Sequence, residues 1–171
     1  IRILDPDEVK SWSTGPSSLP VTLLHTSAQA AAWFEAPESA HVEVALNGGE
    51  QTVRLAPGFR VAVALDGLPT EPEGCGWRLH LLLESGPKQP FTSYLEMLFD
   101  PESNTASLAL PAAGSWRVIL SYRTDPKATW RSIPGALGDP EPTIEVSSAS
   151  GVQEFHCTVD PAAIERALAN R

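Results

Sequence analysis

The residues able to do chemistry are few and widely spaced. The four histidines are His25, His41, His80 and His156, and the two cysteines are Cys75 and Cys157. No two histidines share the spacing of a zinc motif, and neither cysteine belongs to a Cys-x-x-Cys pair. Ser115 follows Gly114, but the Gly-x-Ser-x-Gly elbow that would expose a nucleophile is absent. Gly74-Cys75-Gly76 lacks the lysine or glycine of a phosphate loop and leads into a strand rather than a helix. Carboxylates gather at Asp5-Pro6-Asp7-Glu8, Glu71-Pro72-Glu73 and Asp139-Pro140-Glu141. None matches the ligand spacing of a calcium loop, and proline between acids marks a solvated turn. No catalytic residue, metal ligand or cofactor is therefore assigned. A Ser/His/Asp site dispersed along the chain is the one enzymatic arrangement this composition leaves open, as a hydrolase.

Binding chemistry is better represented. Of the five tryptophans, Trp77 and Trp116 share parity with leucine and valine and belong to a core. Trp12 and Trp130 lie in polar, loop-like sequence, where an exposed indole stacks on sugars or anchors an interface. Trp12, Trp130 and the adjacent Arg131 are the candidate ligand-binding residues. His80 and His156 fall on the more polar side of their strands and read as surface histidines. Cys75 and Cys157 are a possible disulfide; if oxidised they close a long loop, worth about 4–5 kcal/mol in the chain-entropy view. Two buried free thiols fit the sequence equally.

The elements that must position these residues are strands. Trp77, Leu79, Leu81 and Leu83 alternate with Arg78, His80, Leu82 and Glu84; Trp116, Val118, Leu120 and Tyr122 alternate with Arg117, Ile119, Ser121 and Arg123. Val61–Leu65 and Leu95–Phe99 repeat the period of two. Further strands are expected at Val21–Thr26, Ala30–Glu35, Ala106–Leu110, Thr143–Ser147 and Val152–Val159. Asn47-Gly48-Gly49 predicts a hairpin joining Val42–Leu46 to Thr52–Ala56. Asp160-Pro161 reads as an N-cap and first turn, with Ile164 and Leu168 on one face of a terminal helix. The stretch 125–142, with Pro126, Pro134, Pro140 and Pro142, reads as a long loop. Residues 52–63 and 106–120 echo each other as strand, proline turn, then aromatic-Arg-Val or its near equivalent.

Composition narrows the class. A chain of 171 residues with 42% hydrophobic residues can bury its own core without a metal or disulfide. Its 16 prolines and 12 glycines fall between apolar segments, as expected of many short elements. The net charge of −9 argues against binding nucleic acid or anionic lipid over the whole surface. Arg117, Arg123, Lys127 and Arg131 form the densest basic stretch. There is no apolar run of roughly 18 residues for a helical membrane span. No signal peptide is recognised, and the start Ile1-Arg2-Ile3 leads us to expect a processed or excised piece. The fold expected is mainly β, an antiparallel sandwich of Ig-like or prealbumin-like type with a short C-terminal helix. Residues 1–57 supply N-terminal strands, of the same sandwich or of a preceding repeat, 58–160 the sandwich and 161–171 the helix. The core is expected to contain Trp77, Leu79, Leu81, Met97, Phe99, Leu110, Trp116, Val118 and Leu120.

Arg60–Leu65, Asp66-Gly67-Leu68-Pro69, Trp77–Leu83, Leu95–Asp100 and Leu108-Ala-Leu-Pro-Ala-Ala-Gly114-Ser-Trp-Arg-Val118 together resemble carboxypeptidase-regulatory-like domains. These are prealbumin-like sandwiches built from a strand, a D-x-G-x-P turn, a second strand and an L-P-x-G-x-aromatic-x-V connection. The resemblance covers about residues 52–124. It departs from the pattern in the close Asp66–Pro69 spacing and in Glu102-Ser103-Asn104 where glycine is usual. It implies a non-enzymatic structural or protein-interaction module of a larger exported or surface-associated bacterial protein, with a protein partner. A carbohydrate-binding module using Trp12 and Trp130 is the alternative.

Overall fold

The computed structural model describes residues 2–4, 9–11, 31–34, 40, 42–45, 53–70, 76–86, 94–100, 103–147 and 151–169. The chain divides into two units, Ile1–Gly58 and Phe59–Arg171. It is mainly β, with two sheets and one short helix. Among the described residues no helix is long and apolar enough to cross a membrane.

The first unit holds a four-stranded antiparallel sheet. Its strands are β1 (Arg2–Leu4), β2 (Val9–Ser11), β3 (Ala31–Phe34) and β4 (Val42–Ala45), in the order β2-β1-β3-β4. Ala32 is fully buried. β4 pairs with β3. Of the hairpin expected across Asn47-Gly48-Gly49, residues 53–56 are not a strand, while Ala40 donates its N–H to Ala56 at 2.9 Å, a contact in the register of a turn centred on residue 48. Residues 47–49 and the expected strand at 21–26 lie outside the described residues. The echo between 52–63 and 106–120 is thus not a structural repeat, because its first half straddles the boundary between units.

The second unit forms an eight-stranded sheet whose faces fold over one core. β5 (Phe59–Asp66), β6 (Gly76–Ser85), β7 (Tyr94–Asp100), β8 (Thr105–Leu110), β9 (Gly114–Arg123), β10 (Arg131–Ser132), β11 (Thr143–Val146) and β12 (Gln153–Thr158) are followed by α1 (Pro161–Ala169). The strand order is β10-β9-β6-β7-β8-β5-β12, with β11 also on β9. β7 makes the turn between the two halves. Its residues 94–98 pair with β6, and its last two, Phe99 and Asp100, pair with β8. A strand that changes partner in this way lets one sheet wrap into two facing layers, which is the basis of a sandwich-like shape.

Alternation drives this packing. Val61, Val63 and Leu65 of β5, Leu79 and Leu81 of β6, Met97 of β7, Leu110 of β8 and Trp116, Val118 and Leu120 of β9 all point into one core. Of the expected core, only Phe99 is partly buried rather than buried. The indoles keep their polar edge satisfied: Trp116 Nε1 donates to the Ala112 carbonyl at 3.3 Å and Trp77 Nε1 to that of Pro69 at 3.2 Å. Stretch 125–142 is a built element. It inserts Ile133, Ala136 and Leu137 into the core and carries β10. The helix begins as expected. Asp160 Oδ1 accepts from the Ala162 N–H at 2.9 Å, and Ala163 and Ile164 are buried. Tyr122 donates its hydroxyl to the Ala167 carbonyl at 3.0 Å.

One pairing departs from the expected antiparallel sandwich. β12 runs parallel to β5, from Gln153 opposite Val61 to Thr158 opposite Asp66. The unit therefore begins at one end of its strands and finishes β12 at the other. At the first end, Gly114 has φ +140°, and a Cβ there would run into the Ser85 carbonyl oxygen. Gly135 also has positive φ (+74°) but has open space around it. Gly114→Ala is expected to lower unfolding free energy by about 2–4 kcal/mol and Gly135→Ala by only about 1 kcal/mol; urea titration of each variant measures the contrast.

Candidate functional site

Strand parity places one set of polar side chains on the outer face of β9, β6 and β7. β6 contributes Arg78 and His80, β7 contributes Glu96, and β9 contributes Arg117, Ile119, Ser121 and Arg123. Register brings them together. His80 lies opposite Glu96 on one side and Ile119 on the other, while Arg78 lies opposite Ser121. Gly76, opposite Arg123, has no side chain, and the Trp130 indole passes over it: a Cβ on Gly76 would meet the ring at 3.4 Å.

Trp130 is the organiser of the upper part of this face. The Arg78 guanidinium lies 4.1 Å from the ring centroid and that of Arg123 lies 4.7 Å away. Both are within cation–π range. Arg78 is also ion-paired with Glu96, and Arg123 donates to the Pro126 carbonyl at 3.1 Å. Lower on the same face Arg117 pairs with Glu84 at 2.7 Å and reaches Glu141 at 3.9 Å. Thr143 donates to Glu84 at 3.3 Å, and Ser115 donates to Glu145. These contacts fasten the 141–145 segment to the sheet.

His80 differs from the expectation of a surface histidine. It is 2% exposed, on a strand with a neighbour on each side. Burial pushes its pKa below the ordinary 6.5; Glu96 raises it and Arg78 lowers it further. His80 and His156 do not meet, since β6 lies between β9 and β7 whereas β12 lies beside β5. His156 instead stands 3.6 Å from Asp66, with both side chains exposed.

Of the candidate ligand-binding residues, Trp12 lies outside the described residues. Trp130 is half-buried, and Arg131 is exposed on β10 opposite Tyr122. A sugar ring stacking on Trp130 would compete with the guanidiniums already there. The basic stretch does not converge: Arg117 is near one end of β9 and Arg123 at the other. Cys157 carries a free, buried thiol whose pKa is raised by burial and then by Asp66; Cys75 lies outside the described residues. Among the described residues no three His, Cys, Asp or Glu side chains form a metal-holding group.

Compared with known proteins, the chain matches no family model, no curated protein and no solved structure. The geometry alone therefore carries the reading of this face. Its carboxylates are engaged by arginines or hydroxyls and its indole by guanidiniums, so the arrangement braces a sheet. Sequence reasoning singled out Trp130 but missed Arg78 and Arg123 as its company. Only cross-strand register, which no local pattern contains, brings them together.

The buried imidazole has a consequence for stability. With its folded-state pKa depressed, His80 stays neutral in the native protein while the unfolded chain takes up a proton as pH falls below about 6.5. Stability from this group is complete above that pH and is lost as pH falls toward the folded value. Urea midpoints at pH 7.5 and 5.5 should therefore fall more in the wild type than in His80→Gln, which does not titrate.

Proposed function

We propose that the second unit is a non-enzymatic structural module, a β-sandwich of Ig-like or prealbumin-like type, within a larger exported or surface-associated bacterial protein. The observation that carries this reading is the parallel pairing of its first and last strands. Parallel ends put the entry at Phe59 and the end of β12 at opposite poles. Such a module extends a chain along its own strand axis, whereas antiparallel ends would return the chain to the pole it came from. The spacer role follows from this geometry. The partner-change in β7 supports the sandwich type, and the resemblance of residues 52–124 to carboxypeptidase-regulatory-like domains points to the same class of protein.

A spacer must resist tension between its poles. Pulled apart at opposite ends, β5 and β12 slide past each other and their ladder bonds must yield together. Pulled at the same end, the bonds peel one at a time. Single-molecule force measurements separate the two cases. Attachment at Arg60 and Thr158 is expected to give clearly higher unfolding forces than attachment at Arg60 and Glu154. Equal forces in both geometries would remove the support for a tension-carrying spacer.

A further inference from the structure

The two borders of the eight-stranded sheet are built differently. On one border, β10 and β11 are two and four residues long and are separated by a segment containing Pro134, Pro140 and Pro142. The other border is β12, six residues with no proline. Val159 donates its N–H to Asp66 while Thr158 is in register with Asp66. In a parallel ladder this directs the N–H and C=O groups of Gln153, Phe155 and Cys157 toward β5. Those of Glu154, His156 and Thr158 point outward, and their side chains are exposed as well. Among the described residues no strand pairs with this outer edge. Val152, beside it, is 54% exposed and is the exposed large hydrophobic residue of the chain's described part. The helix does not shield the edge, since it reaches across the end of the core to Tyr122.

We propose that β12 is a homodimerisation edge, on which β12 of a second copy of this chain adds antiparallel about a two-fold axis. The sequence Gln-Glu-Phe-His-Cys-Thr is self-complementary in one register. Placing Phe155 opposite Phe155 of the second copy sets Glu154 opposite its His156, and His156 opposite its Glu154. The outward-pointing Glu154 and His156 are then the hydrogen-bonded pairs, as an antiparallel ladder requires. Each carboxylate faces an imidazole, and both such contacts arise from one symmetric docking. The two half-buried Phe155 rings meet at the close, non-hydrogen-bonded position and cover each other. Val152 falls opposite Thr158, so its exposed surface is also covered. A shift of two residues in either direction sets Glu154 or His156 opposite itself, so the pairing of carboxylate with imidazole selects this register. Strand addition at a bare edge is a general mode of association, and the Glu154/His156 alternation specifies the second copy as occupant. The net charge of −9 per chain opposes the approach of two copies, so added salt should strengthen the dimer by screening. The edge is independent of the poles used in the spacer reading.

Sedimentation equilibrium on the whole chain tests the proposal. The expected result is a concentration-dependent dimer that tightens with salt. Glu154→Lys sets lysine against histidine, and His156→Glu sets carboxylate against carboxylate. Each is expected to weaken the dimer about tenfold or more, and the double variant to regain most of the loss. His156→Pro removes an outward N–H while sparing the ladder to β5, and should abolish the dimer. Far-UV circular dichroism confirms that each variant is folded, as is expected for exposed sites. A monomer at all concentrations up to the high micromolar range would overturn the proposal, whether the edge is bare or reserved for another protein's strand. A dimer indifferent to all of these substitutions would overturn it too, by placing the contact elsewhere.

Discussion

The antiparallel ladder between β6 and β9 underlies the rest of the second unit. It runs from Gly76 opposite Arg123 to Ser85 opposite Ser115, with one irregularity after Leu83. Two ten-residue strands held in register present Trp77, Leu79 and Leu81 beside Tyr122, Leu120 and Val118 on one face. These side chains, with the fully buried Trp116, form one wall of the core. Each large apolar side chain lost from such a site costs about 2–5 kcal/mol. The other elements depend on this pair. β7 is anchored to β6 before it crosses to β8, and β10, β11 and the segment between them complete the outer side of β9.

The same ladder creates the polar face. Because side chains alternate, a strand whose odd positions fill a core must place its even positions on the other side. Arg78 and His80 occupy such positions on β6, a strand with a neighbour on each side. Arg78 keeps its charge through Glu96 and the face of Trp130, and its aliphatic stem adds cover to the sheet. His80 answers the same constraint differently, by giving up the proton. The glycine at 76 makes room for the indole that joins Arg78 to Arg123. The outer face is thus a consequence of strand pairing.

Much of the second unit was readable from alternation. The periods at Val61–Leu65, Trp77–Leu83, Leu95–Phe99 and Trp116–Tyr122 became β5, β6, β7 and β9, because one face of each is apolar throughout. Asp160-Pro161 marked the helix start because the cap chemistry is local. The failures share a cause. His80 was read as exposed from its parity, which reports the face of a strand but not how central the strand is. The Trp130–Arg78–Arg123 group joins residues far apart in sequence. The direction of β12 is set by its partner, and nothing in Gln153–Thr158 distinguishes parallel from antiparallel pairing. Residues 125–142 form the long loop that their prolines suggest, apart from the two residues of β10, and this loop buries Ile133, Ala136 and Leu137. Proline excludes regular ladders without excluding burial.

The contrast between the sheet's two borders follows from where each sits in the chain. Beside β9 the polypeptide has some twenty residues to spend between β9 and β11. It lays down two short strands on successive parts of the same neighbour: Ile133 donates to Leu120 and Val118 to Pro142, both at 2.9 Å. Short strands and prolines leave little continuous backbone for another chain to pair with. Among the described residues no strand covers the outer edge of β12, and the chain turns into α1 soon after the strand ends. Pro161 stops the ladder and Asp160 starts the helix. Its start is fixed as well, since the Gln153 amide clasps Ser147, accepting its N–H at 2.9 Å and donating to its carbonyl at 3.2 Å. β12 is thus bounded at one end by a side-chain amide and at the other by a helix cap, while its direction is set by pairing with β5.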